Sequence, residues 1–168
     1  MPEVILIGAP GAGKSSVGRQ LGKVLQIPFV DTDKKIEEKA GKKISEIFIE
    51  DGEPRFRMIE KEVVLEEIER AEGVLALGGG SILDSDVAGA LSKMKEKVIY
   101  LEVSISNAAP RVGFNKDRPL LSVNPRQQWL TLMEKRRPIY ENLAGHKVST
   151  DNRKPSEVVK EIQGILKR

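Results

Sequence analysis

The sequence predicts an α/β fold, a parallel sheet covered by helices on both faces. Two observations carry this expectation. Strand-like and helix-like segments alternate along the 168 residues, and the first pair is joined by Gly8-Ala9-Pro10-Gly11-Ala12-Gly13-Lys14-Ser15, which has the residue types and spacing of a phosphate-binding loop. Glycines let the backbone turn its N–H groups inward, forming an anion-binding nest at a helix N-terminus, where the dipole also favours negative charge. In such a loop Lys14 reaches the β- and γ-phosphates of a nucleotide and the Ser15 hydroxyl faces Mg²⁺. The loop does not say what receives the phosphate.

Taken in order, residues 3 to 8 read as a central strand, apolar throughout because both faces are covered. Residues 14 to 25 form an amphipathic helix, and Phe29-Val30 a short second strand ending in Asp31-Thr32-Asp33. Helical patterns follow at 34 to 40, 44 to 51 and 54 to 72, the last with Phe56, Ile59, Val63 and Ile68 on one stripe. Val74 to Leu77 is a third strand that stops at Gly78-Gly79-Gly80, Asp84 to Met94 a helix, and Val98 to Val103 a fourth strand. A short helix over 106 to 112, a polar stretch over 113 to 125, a helix over 126 to 144, a strand over 146 to 149 and a closing helix over 155 to 166 complete the chain.

Composition sets bounds on function. The length is that of one domain, 1–168, and 39% hydrophobic with 32% charged residues is an ordinary globular balance. No apolar run approaches the roughly 20 residues of a membrane span, and Met1-Pro2-Glu3 leads straight into a strand, so neither a membrane nor a signal peptide is expected. The absence of cysteine excludes disulfides and thiolate metal sites and fits a cytoplasmic location. The net charge of +3 is unevenly placed: residues 111 to 137 hold seven Lys or Arg against Asp117 and Glu134, whereas 34 to 72 hold nine basic and twelve acidic residues. With only Phe114 and Trp129 as stacking aromatics in the basic segment, a bound polyphosphate or anionic substrate fits it better than nucleic acid.

Ligands of such sheets sit beyond the carboxyl ends of the strands, which selects Asp31 and Asp33, the triple glycine, and the segment after the fourth strand. Along an extended strand end, 31 and 33 point the same way, so one carboxylate can help hold hydrated Mg²⁺ while the other orients or deprotonates an acceptor hydroxyl. Asp immediately after a strand is also a common helix N-cap, and Asp33 alone suits that plainer role. Three glycines in a row suit backbone that approaches a ligand closely, or a tight turn before a helix capped by Asp84 or Ser81. Arg57 falls on the opposite side of its helix from the Phe56 stripe, with Glu60 three residues on as a partner; such a pair is also common on solvated surfaces. Arg136 and Arg137 suit an anion site or an exposed helix face, and Pro138 predicts a break just after them.

Together these residues resemble the shikimate kinase family. The resemblance rests on Gly8 to Ser15, Asp31-Thr32-Asp33, Gly52-Glu53 with Phe56-Arg57 and Glu60, Leu77-Gly78-Gly79-Gly80, Arg118-Pro119-Leu120-Leu121, and Arg136 with Pro138 and Tyr140, in order over nearly the whole chain. It implies a three-layer P-loop kinase fold like that of nucleoside monophosphate kinases, with five parallel strands, a substrate-binding helical segment over about 33–62 and a mobile lid over about 113–125. It implies transfer of the ATP γ-phosphate to the 3-hydroxyl of shikimate, on the way to chorismate and the aromatic amino acids. By the same resemblance Lys14, Asp33 and Arg118 are catalytic, and Asp33, Arg57, Gly79, Gly80 and Arg136 bind shikimate. Gly11, Ala12, Gly13, Lys14, Ser15, Ser16, Arg111, Arg118 and Arg153 bind ATP, and Ser15 and Asp31 hold Mg²⁺. A monomer acting without nucleic acid or membrane is expected. Asn115, Lys116 and Asp117 receive no role. Two other readings stand beside this one: a gluconate or nucleoside monophosphate kinase of the same fold, and a non-enzymatic P-loop protein that uses the basic segment to bind nucleic acid.

Overall fold

A computed structural model of the chain describes residues 1–112 and 124–168. Five parallel strands, β1 (Val4–Ile7), β2 (Phe29–Asp31), β3 (Val74–Ala76), β4 (Val98–Glu102) and β5 (His146–Ser149), form one sheet in the order β2-β3-β1-β4-β5. The central strand β1 pairs with β3 and β4, and Val4, Ile5, Leu6 and Ile7 are each at most 1% exposed. A continuous apolar strand is therefore the mark of burial on both faces, as the sequence predicts. Strand order reverses at β1, and the phosphate loop leaves its carboxyl end, the place where open α/β sheets bind ligands.

The described helices are α1 (Lys14–Leu25), α2 (Thr32–Ala40), α3 (Ile44–Glu50), α4 (Glu53–Arg70), α5 (Ser85–Ser92), α6 (Ile105–Val112), α7 (Pro125–Leu143) and α8 (Pro155–Leu166). Helix α1 packs on α8, and α7 packs on α5, α6 and β4. Helices α2, α3 and α4 enclose a small core of their own, Ile36, Ile44, Ile47, Phe56, Ile59 and Val63, where the rings of Phe48 and Phe56 lie 4.7 Å apart. That second core sits within the segment expected to bind the acceptor, and it gives α4 a rigid base from which to present Arg57. Among the described residues, no helix is long and apolar enough to cross a membrane.

Three expectations need correction. Asp31 and Asp33 do not alternate along one extended strand: Asp31 ends β2 in extended geometry, while Asp33 already lies in the first turn of α2. Nor is Asp33 the N-cap: that place is taken by Asp31, whose carboxylate accepts the Asp33 N–H at 2.9 Å and satisfies one of the helix's open amides. Pro138 does not break α7, which runs on to Leu143. Trp129, Met133, Arg136, Tyr140 and Leu143 are buried on one face of that helix before and after the proline, and Pro138 lies on the exposed side. The helix expected from Asp84 to Met94 is shorter, Ser85–Ser92, because a 3-10 turn over Ser81–Leu83 precedes it and the Asp84 side chain caps it, accepting from the Asp86 and Val87 N–H groups.

Candidate active site

The loop after β1 turns where a side chain would be strained. Gly13, the N-cap of α1, has φ 88° and ψ 20°, a left-handed conformation that residues with a Cβ rarely adopt. The Ala12 N–H donates to the Ala9 carbonyl at 3.1 Å, and the Lys14 ammonium donates to the carbonyls of Gly8 at 2.8 Å and Ala9 at 2.9 Å. The lysine thus lies folded along its own loop, beside the open N-terminus of α1. Next to it, the Ser15 hydroxyl donates to Asp31 Oδ2 at 2.8 Å. A hydroxyl and a carboxylate side by side at a phosphate loop fit Mg²⁺, which keeps several waters and needs few protein ligands. Among the described residues no group of three or more His, Asp or Glu side chains gathers elsewhere to hold a metal.

Beyond β2 and β3 the acidic and basic side chains converge on the triple glycine. A Cβ on Gly78 would stand 2.9 Å from Asp33 Oδ1 and 3.2 Å from Glu60 Oε2. One on Gly79 would stand 3.1 Å from the Pro10 ring and 3.3 Å from an Arg136 guanidinium nitrogen. One on Gly80 would meet both terminal nitrogens of Arg57 at 2.5 and 2.8 Å and one of Arg136 at 2.9 Å. The three glycines are therefore needed for close approach, and what approaches is the site's own carboxylates and guanidinium groups. The run is also a turn, as its alternative reading has it, since the Ser81 hydroxyl donates to the Gly78 carbonyl at 2.7 Å just before the capped helix.

Arg57 and Glu60 form a 2.7 Å ion pair in which Glu60 is 3% exposed, so this is no solvated surface pair. The Arg57 guanidinium lies 5.2 Å from the Phe56 ring centroid, reaching back over the stripe instead of away from it as expected. Arg136 is 3% exposed whereas Arg137 is exposed, which separates the two arginines that spacing leaves equivalent. Three supporting hydrogen bonds have no signal in the spacing of the sequence. Thr32, fully buried, accepts the Gly78 N–H at 3.2 Å, Tyr140 donates its hydroxyl to the Gly79 carbonyl, and the Trp129 indole N–H donates to the Pro10 carbonyl at 3.0 Å.

A cavity of about 320 Å³ runs from the loop to this cluster; Lys14, Ser15, Ser16, Asp31, Asp33, Gly78, Gly79 and Arg111 line it. Gly80, Arg57, Glu60 and Lys61 line a second, of about 300 Å³. At its rim Lys61 has a pKa above the ordinary value, raised chiefly by the hydrogen bond to Asp86 and then by the charge of Asp84. Arg136 lines neither cavity and meets the site through Gly79 and Gly80. On the other side of the loop a cavity of about 220 Å³ is lined by Ala12, Gly13, Ser16, Arg111, Thr150 and Arg153. Arg111 there donates to the Gly11 carbonyl at 3.2 Å and to the Thr150 carbonyl at 2.8 Å, while Arg153 donates to the Ser149 carbonyl and Glu161, both at 2.8 Å. Arg118 and the expected lid, apart from Asn124 and Pro125, lie outside the described residues.

The family model described as "Shikimate kinase" matches residues 10–167. The chain is 46% identical over 166 residues to the shikimate kinase of Rhodococcus jostii (strain RHA1), covering 98% of each. A solved shikimate kinase from Acinetobacter baumannii, in complex with shikimate, is 35% identical, with a TM-score of 0.92 over 99% of this chain and 93% of that one. Likeness to a gluconokinase from Sinorhizobium meliloti 1021, with a TM-score of 0.55 and 20% identity over 99% of this chain and 93% of that one, is one of fold alone.

Proposed function

The chain belongs to the shikimate kinase family, and from that premise we propose how its residues divide the reaction. It is an ATP-dependent phosphotransferase that passes the γ-phosphate of ATP to the 3-hydroxyl of shikimate, a step toward chorismate. One observation carries the residue assignment: a single cavity joins Lys14 and Ser15 to Asp33 and Gly79, so donor and acceptor meet in one space. Phosphoryl transfer asks for positioning and charge stabilisation more than covalent chemistry, and this is what the cavity wall offers.

On the donor side, the amides of Gly11 to Ser16 cradle the phosphates and Lys14 leaves the Gly8 and Ala9 carbonyls to follow the moving phosphoryl group. Ser15 and Asp31 would hold Mg²⁺, which when bound would neutralise phosphate charge. Arg111 and Arg153 flank the base in the cavity beside Thr150. On the acceptor side, Arg57 and Arg136 take the shikimate carboxylate, for which a guanidinium fork matches both oxygens. Their distances to Gly80 support this, because the two guanidinium groups come to one point. Asp33 takes the ring hydroxyls and acts on the attacking one as base or orienter. Glu60 holds Arg57 in place, and the segment 33–62 acts as one acceptor-binding unit on its own small core.

ADP release with Mg-ATP and, separately, shikimate, gluconate, AMP and CMP tests the reading. Only shikimate is expected to stimulate turnover; stimulation by gluconate or a nucleotide in its absence sinks the assignment. A second expected result tests the carboxylate clamp. Gly80→Ala forces a methyl into the space of three guanidinium nitrogens, so the KM for shikimate should rise by about 10- to 100-fold, as small misplacements in a clamp do, with the KM for ATP little changed. An unchanged shikimate KM would take Arg57 and Arg136 off the carboxylate.

A further inference from the structure

We propose that Trp129 is a positioning residue for the nucleotide, because its indole N–H fixes the peptide that aims the Gly11 amide of the phosphate loop. The inference rests on reading Gly8 to Ser15 as the ATP loop. Trp129 is 2% exposed and its Nε1–H donates to the Pro10 carbonyl at 3.0 Å across 119 residues of sequence. An indole has one donor and no acceptor, so burying it in the core is tolerated where that donor is satisfied, and here Pro10 satisfies it.

The loop's carbonyls are held one by one. Lys14 takes those of Gly8 and Ala9, Arg111 takes that of Gly11, and Trp129 takes that of Pro10. In a trans peptide the C=O and the following N–H point in opposite directions. Among the described residues there are no cis peptides, so holding the Pro10 carbonyl toward α7 turns the Gly11 N–H the other way. A nest binds anions only if its N–H groups converge, and a flexible glycine cannot enforce this alone. The lysine must give up its two carbonyls to serve the phosphate, whereas Trp129 is buried and stays. It is therefore the anchor that persists through turnover.

The same helix face ties this anchor to the acceptor. Trp129, Met133, Arg136 and Tyr140 recur on the buried side of α7, so one rigid helix grips Pro10 at one end and, through the Tyr140 hydroxyl, the Gly79 carbonyl at the other. Donor loop and glycine turn are thus registered to each other by a single element.

Trp129 is the only tryptophan, so growth of a tryptophan auxotroph on benzothienylalanine replaces this one N–H by sulfur and keeps the ring shape. Calorimetry then gives the Kd for MgADP and, separately, for shikimate, neither needing turnover. Loss of one net hydrogen bond should weaken MgADP by about 3- to 10-fold, leaving the shikimate Kd within about two-fold and the Tm within a few degrees. Trp129→Phe should show the same split, with some loss of Tm from the smaller ring. An unchanged MgADP Kd in the isostere overturns the proposal, as does equal weakening of both ligands. A wild-type chain that binds MgADP but lacks shikimate-dependent turnover overturns the functional reading alone.

Discussion

Lys14→Ala is expected to lower kcat by about 10³-fold with shikimate, the scale of a lost charge at a transferring phosphoryl group. The ammonium is the one cation the loop itself supplies, and it stands 2.8 and 2.9 Å from two carbonyls of the same loop, within the wall shared by donor and acceptor. The loss should fall on kcat more than on the ATP KM, because negative charge develops on the β–γ bridging oxygen that leaves with ADP as its bond to the γ-phosphorus loosens. Lys14→Arg should not restore the rate, since a planar fork does not replace a compact ammonium in so tight a turn. Steady-state kinetics at saturating ATP check this, with circular dichroism to show that α1 still forms. A rate within tenfold of wild type would place Lys14 outside the transfer step.

The phosphate loop was legible because its chemistry is local: residue types, spacing and the strand and helix around it are all contiguous. The acceptor side is built from positions far apart in sequence, and there spacing alone left choices open. Arg136 and Arg137 are neighbours in sequence yet only Arg136 is buried. The signal was present in the helix period, since 129, 133, 136, 140 and 143 form one stripe in which Arg136 is the only charge. A charge on an apolar stripe is costly unless it has a partner or a function. Glu60 carries the same signature on α4, buried among Phe56, Ile59, Val63 and Val64. Pro138 does not end α7 as its residue type predicts, because a proline on the exposed side leaves the freed carbonyl one turn back to water, so packing on the other face holds the helix together. The ties of Thr32 to Gly78 and of Trp129 to Pro10 have no sequence signal, being contacts between distant segments that only the folded sheet brings together.

The division of labour between Asp31 and Asp33 follows from the corrected geometry. The Asp31 carboxylate is engaged on both oxygens, accepting from Ser15 Oγ at 2.8 Å and the Asp33 N–H at 2.9 Å, so it caps α2 and, in the proposed reading, serves the metal side. Asp33 instead projects from the first turn of α2, with its Oδ1 in the space beside Gly78, facing the cavity it shares with Lys14. Asp33→Asn keeps the shape and the backbone N–H that Asp31 caps, but it cannot take a proton. At saturating Mg²⁺ its kcat should fall by about 10²- to 10⁴-fold, the usual contribution of a general base, with the shikimate KM changed less because the amide still bonds the ring hydroxyls. Asp31→Asn should act differently, raising the Mg²⁺ concentration needed for half-maximal rate while most of kcat returns at high Mg²⁺. Measuring rate against Mg²⁺ for both variants separates the roles. If the Asp33 variant keeps most of its rate, the carboxylate orients the hydroxyl without deprotonating it, and the proton leaves with the phosphoryl group.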